Sequence, residues 1–175
     1  GPDGEPWIGR TLTERLELHP LVLTDVELLA ARLAHARRQP PTAARATLTA
    51  GLALVAGPPF AGASYLWADA EGWVSQDTLL VTDAAAELGR LCLADGDLDG
   101  VMAATAIGLL ALPGHEELVG LRMRAHAGRG DLAAVRREWE GYERVVAGDS
   151  FGDGEPSPRL VELRHELLVT RRRVG

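Results

Sequence analysis

Apolar positions along the chain fall at intervals of three and four, and no stretch alternates with period two for long enough to predict a strand. Val26, Leu29, Ala30 and Leu33 share one face of a first helix that opens at Thr24-Asp25-Val26-Glu27. That tetrapeptide is a capping box: the threonine oxygen takes the N3 amide and Glu27 reaches back to the cap. Pro40-Pro41 ends this helix. Thr42 is expected to cap a second, with Ala44, Leu48, Leu52 and Val55 as its stripe and Gly57-Pro58-Pro59 as its stop. Residues 60–64 form a loop. A helix begins near Leu66, Gly72 interrupts it, and a longer run continues to Ala94 with Leu80, Ala84, Leu88 and Leu91 facing the core. Helices follow over Asp97–Leu112, His115–Ala127, Asp131–Ala147 and Ser157–Arg171, with residues 150–158 as the last connecting loop. Before Thr24 the breakers Gly1, Pro2, Gly4, Pro6 and Gly9 predict an irregular lead-in over residues 1–23, with Leu16–Leu23 as an extended piece packed on the body.

Two of the helix junctions share a sequence. Gly96-Asp97-Leu98 recurs 34 residues later as Gly130-Asp131-Leu132. A 34-residue period with two helices per unit is the mark of tetratricopeptide repeats. In that frame Leu88-Gly89 takes the Leu-Gly pair of the first helix, and Pro113 the closing proline. Val135 takes a small core position and Trp139 the large aromatic one, while Ala147 replaces the second closing proline. The units span about 80–113 and 114–147, with a capping helix over 157–171. Asp95, Asp97, Asp99 and Gly100 also match the opening of a calcium loop. The bidentate glutamate at position 12 is missing, because Ala106 stands there. The repeat reading therefore prevails: Gly96 supplies the positive φ that ends one helix, Asp97 caps the next, and Asp99 lies favourably in its first turn.

The hydrophobic share is 46% but aromatics are only 5%, so alanine and leucine supply the apolar mass and helix is favoured over sheet. At 175 residues the chain is long enough to bury a core without staples. Every one of its 18 basic residues is arginine, the mark of a high-GC bacterial genome. Schiff-base chemistry and a phosphate-binding Walker lysine are thereby excluded. A net charge of −7 opposes a nucleic-acid surface. Cys92, the only cysteine, permits neither a disulfide within the chain nor a cysteine zinc cluster, and a reducing cytoplasm is the expected setting. No apolar run approaches the roughly 20 residues of a membrane helix, and no signal peptide is expected.

Gly51–Gly62 (GLALVAGPPFAG), then Tyr65–Glu71 (YLWADAE), the two repeats, and Gly154–Leu168 (GEPSPRLVELRHELL) give an ordered set of signatures. Over about Leu21–Leu168 the chain resembles the bacterial transcriptional activator domain. That domain follows a winged helix in antibiotic-regulatory-protein-type activators of actinobacteria. The resemblance implies a helical-repeat module for regulation, oligomerisation and contact with the transcription machinery, occupying residues 24–175. The winged helix itself is absent from this sequence. The start, DGEPWIGRTLTERLELHP, is more similar to the lead-in of membrane-tethered variants carrying cell-wall-binding modules.

Several spacings approach catalytic or metal motifs and stop short. His115-Glu116 and His165-Glu166 open like zinc-protease motifs, but Val119 and Val169 stand where the second histidine belongs. Arg129-Gly130-Asp131 spells an adhesion tripeptide but falls on a turn. Ser64 lacks the second glycine of a nucleophile elbow. Cys92 is expected to be a buried structural thiol. No catalytic, metal-ligating or cofactor-binding residue is assigned, and no enzyme is expected.

Arg122, Arg124, Arg129, Arg136, Arg137 and Arg144 crowd the second repeat. Their planar donors suit carboxylate or phosphate. Asp131, Glu138, Glu140 and Glu143 lie among them, and i,i+4 pairing would consume part of that charge. Arg122, Arg124, Arg129, Arg136 and Arg137, with Trp67 and Phe60, are the candidate contact residues. Trp139 is expected in the core, with Trp73 and Tyr142 in core or groove. Phe60 and Trp67 are expected to seal the first helices against the repeats. The expectation is an all-α, tetratricopeptide-like bundle of the α-solenoid type, acting as a non-catalytic interaction module. Its partner would be the transcription machinery or another domain of the same protein, and a homodimer is compatible. The alternatives are a sensor of an anionic small molecule or acidic peptide, and a scaffold domain of a tethered envelope protein.

Overall fold

The computed structural model describes residues 1–9, 18–62, 66–149 and 154–169. Helix α1 (Asp25–Ala36) begins at the predicted capping box: the Glu27 amide donates to Thr24 Oγ1 at 3.2 Å, and the Thr24 amide donates to Glu27 Oε2 at 2.8 Å. Its buried stripe is Leu29, Leu33 and Ala36. Ala30, expected on that face, is exposed, because the i, i+4, i+7 row that meets the core runs through Leu29 and turns Ala30 outward. Helix α2 (Pro41–Leu52) is not capped by Thr42. Pro40 holds the cap position and Pro41 the first turn, where a missing N–H costs nothing.

Gly72, at φ 78°, separates the short α3 (Leu66–Ala70) from the long α4 (Trp73–Ala94). Helix α4 touches α1, α2, α3, α5 and α6. That centrality explains why it buries small residues on several sides, among them Ala84, Ala85, Ala86 and Gly89. Helices α5 (Leu98–Ala111), α6 (Glu116–Gly128), α7 (Leu132–Gly148) and α8 (Pro158–Val169) complete the chain. The protein is all-α, and among the described residues the only β pairing is an isolated bridge between Ile8 and Leu18.

The two predicted junctions match bond for bond. Gly96 has φ 74° and Gly130 φ 78°. The Asp97 amide donates to the Cys92 carbonyl at 2.9 Å, and the Asp131 amide to the His126 carbonyl at 3.0 Å. Asp97 then accepts from the Gly100 amide, and Asp131 from the Ala134 amide, both at 2.8 Å. Each junction is thus a Schellman-type stop followed at once by an aspartate N-cap. Nothing crowds the place where a Gly96 side chain would stand, so its requirement is one of backbone conformation alone. Gly96→Val is expected to cost more than about 1 kcal/mol through that φ. An unchanged melting temperature would contradict it.

The core has two parts that meet at α6. Leu118, Leu121 and Ala125 join the cluster built by α1, α2, α4 and α5, while Val119, Met123 and Ala127 join the one built with α7 and α8. Helix α6 also packs directly on α4 and α8, whereas α5 and α7 do not meet among the described residues.

The lead-in departs from expectation. Leu16 and Glu17 lie outside the described residues. From Leu18 onward the segment turns back on residues 3–8: His19 bonds Asp3 at 3.1 Å and stands edge-on to Trp7. Leu21 and Leu23 remain exposed. Ser64, the 150–153 part of the last loop, the end of the final predicted helix beyond Val169 and the Arg171–Arg173 run also fall outside the described residues.

Candidate functional site

Because α4, α6 and α8 lie side by side, one continuous groove runs along them. Its volume is about 780 Å³. Leu93, Leu121, Leu160 and Leu163 give it an apolar floor, and Pro113 and Gly114, between α5 and α6, also line it. Arg90 of α4, Arg124 of α6 and Arg159 of α8 line it, together with Glu116, Glu117 and Asp149. Arg90 and Arg124 are 34 residues apart and Arg159 is 35 further on, so the three arginines stand on alternate helices of the chain. Sequence reading found Arg124 but missed Arg90 and Arg159. The repeat offset was the signal that could have found them. Arg90 is held by Glu87 at 2.7 Å and by Glu117, while Arg124 and Arg159 are exposed.

Two of the other candidate arginines, Arg122 and Arg129, are held in ion pairs between helices. Arg122 donates through Nε and Nη2 to Glu138 Oε1, at 2.9 and 2.6 Å, and His126 Nε2 lies 3.3 Å from the same oxygen. This cluster ties α6 to α7. Burial alone would raise the Glu138 carboxyl, but hydrogen bonds from Arg122 and His126 hold it below its ordinary 4.5. A depressed carboxyl stabilises the fold at pH above its unfolded value, and that stability is lost as pH falls through the folded value. The urea midpoint is therefore expected to drop on acidification below about pH 4.5, and to drop less in Glu138→Gln. Equal acid sensitivity in both proteins would remove the cluster from the account.

Arg129 bonds Asp99 at 2.5 Å and so joins the second junction to α5. Arg137 lies 3.8 Å from Asp131, and Arg136 is exposed. The three carboxylates that suggested a calcium loop are likewise paired with arginines: Arg45 of α2 holds Asp95 at 2.6 Å and also Asp97, and Arg129 holds Asp99. Among the described residues no three His, Cys, Asp or Glu side chains converge as a metal site.

Phe60 and Trp67 meet edge-on at 6.3 Å, but Trp67 is 54% exposed, so it does not seal the helices as expected. Trp73 is exposed too, its indole N–H donating to Glu71 at 2.9 Å, and is neither core nor groove. Trp139 and Tyr142 are buried, and Tyr142 Oη accepts from the Ser157 amide at 3.0 Å. Cys92 is buried, and burial pushes its thiol up, away from nucleophilic reactivity. His115 stands at the N-cap position of α6 without a side-chain capping bond and is partly buried, whereas His165 is exposed.

Comparison with protein-family models, with curated proteins and with solved structures finds no match. Among the described residues no helix is long and apolar enough to cross a membrane.

Proposed function

We propose that the chain is a non-catalytic, tetratricopeptide-like interaction module whose groove along α4, α6 and α8 holds an acidic segment of a protein partner. The observation that carries this reading is the row of Arg90, Arg124 and Arg159 above an apolar floor. Stacked helix pairs present such surfaces because no pair can bury its apolar face alone. The bond-for-bond identity of the two junctions supports the repeat assignment. Arginine forks suit peptide carboxylates, and leucines beneath them suit apolar side chains between those carboxylates. The resemblance to the bacterial transcriptional activator domain makes a regulatory setting the natural one, with the transcription machinery or a neighbouring domain as partner.

The same arginines would suit a small anion, which is the second reading. Calorimetric titration with inorganic phosphate, a nucleoside triphosphate and a leucine–glutamate peptide separates the two. The interaction reading expects heat from the peptide alone, weakened in Arg124→Glu/Arg159→Glu. Saturable binding of phosphate or nucleotide, with a raised melting temperature, would establish the sensor instead.

A further inference from the structure

Along the chain from α2 to α4 the charge is one-sided. Between Arg45 and Arg90 there is no arginine, lysine or histidine, while Asp69, Glu71, Asp77, Asp83 and Glu87 all occur there. The start of α1, the chain after α2 and the first half of α4 enclose a cleft of about 290 Å³. Its walls are apolar, with Val26, Leu54, Pro58, Phe60 and Leu80 prominent, and Asp25 and Asp77 are its only charged lining residues. Asp83 has Arg37 at 3.6 Å, and Glu87 has Arg90. Asp77 has no cation or hydrogen-bond donor among the described residues. Burial, and then the charge of Asp25, push its carboxyl up. The apolar surface continues outside the cleft, where Trp67 stands against Phe60 and Leu66 is 80% exposed.

We propose that this cleft is a second docking surface, for a basic amphipathic segment of a partner protein. An apolar side chain enters the cleft, and an arginine or lysine beside it pairs with Asp77 and Asp25. Charge complementarity selects the occupant: a carboxylate without a cation, at the mouth of an apolar cavity, gains from a cation delivered with its own apolar anchor. The exposed Leu66–Trp67 rim extends past the cleft and gives the flanking residues of a peptide something to cover. A second copy of this chain would bring a net −7 towards an acidic face. The inference goes beyond the groove reading and shares no residue with it, so each can fail alone.

The test is calorimetric titration of the whole chain with a synthetic amphipathic peptide of leucine and arginine. The control peptide carries glutamate at every arginine. The arginine peptide is expected to bind and the glutamate peptide not to. Asp77→Asn is expected to weaken binding about fivefold, the worth of one exposed ion pair. Its melting temperature should equal or exceed that of the parent, because a repulsion is removed. Glu162→Gln, on the exposed face of α8, makes the same charge change elsewhere and should leave binding unaltered. Equal binding of both peptides, or equal weakening by Asp77→Asn and Glu162→Gln, would overturn the proposal. So would a simple alkylamine binding as tightly as the peptide, since the cleft would then be a small-cation site.

Discussion

Trp139→Ala is expected to lower the stability of the protein by about 3–5 kcal/mol, the cost of removing a large aromatic from a closed core. Trp139 is 2% exposed and sits among Val119, Met123, Val135, Leu160 and Leu163. Its ring lies 5.7 Å from Tyr142, and the Arg164 guanidinium stands over it at 5.0 Å. It therefore joins α6, α7 and α8, and its loss empties the smaller of the two core clusters. The indole N–H is buried without a hydrogen-bond partner among the described residues. Trp139→Phe keeps most of the ring contacts and removes that stranded donor, which itself costs about 1–3 kcal/mol. The phenylalanine variant should thus lose well under half of what the alanine variant loses. Urea unfolding of the three proteins checks both values, and equal losses for the two variants would show that the cluster does not depend on the ring.

The second large effect is expected at Gly108, on the face of α5 that meets both α4 and α6. A Cβ there would lie 2.5 Å from Leu118 Cδ1 and 2.8 Å from the Ala85 methyl. The leucine tip can rotate away. The alanine methyl is fixed to the α4 backbone and cannot. Gly108→Val should destabilise by about 3 kcal/mol through overpacking, although most residues improve on glycine inside a helix. Gly148→Ala, at the end of α7 with open space around it, is the matched control and should be neutral or gain up to about 1 kcal/mol. Thermal unfolding of both variants distinguishes a packing requirement from a general aversion to substitution.

Helix number and order were legible because the junction signals are local. Thr24 with Glu27, Gly72, Gly96-Asp97 and Gly130-Asp131 each act within one turn of chain. The buried faces were less legible, since a stripe read from spacing alone does not say which row meets the core. Ala30, read as part of the stripe, is exposed for that reason, and Ala36, which the stripe did not include, is buried. The arginine partners were hidden more deeply. The sequence suggested pairing within a helix, but Arg122 meets Glu138 across α6 and α7, and Arg129, just after α6, meets Asp99 of α5. Such pairs depend on helix packing that no local window contains. The opposite holds for Arg90, Arg124 and Arg159. Their spacings of 34 and 35 residues were readable in the sequence, next to the 34-residue offset of the two junctions. The exposure of Trp67 had no sequence signal, because an aromatic on a five-residue helix fits a seal and a patch equally well.

The central claim is that the groove along α4, α6 and α8 binds a protein partner. Its most direct test is parallel capture from lysate of the source cell on the immobilised chain and on the Arg124→Glu/Arg159→Glu variant, after both are shown to melt alike. The account predicts a protein retained by the parent and lost from the variant, with RNA polymerase subunits as the recovery that would place the module in transcription. Equal retention by both proteins would contradict the groove as the binding surface.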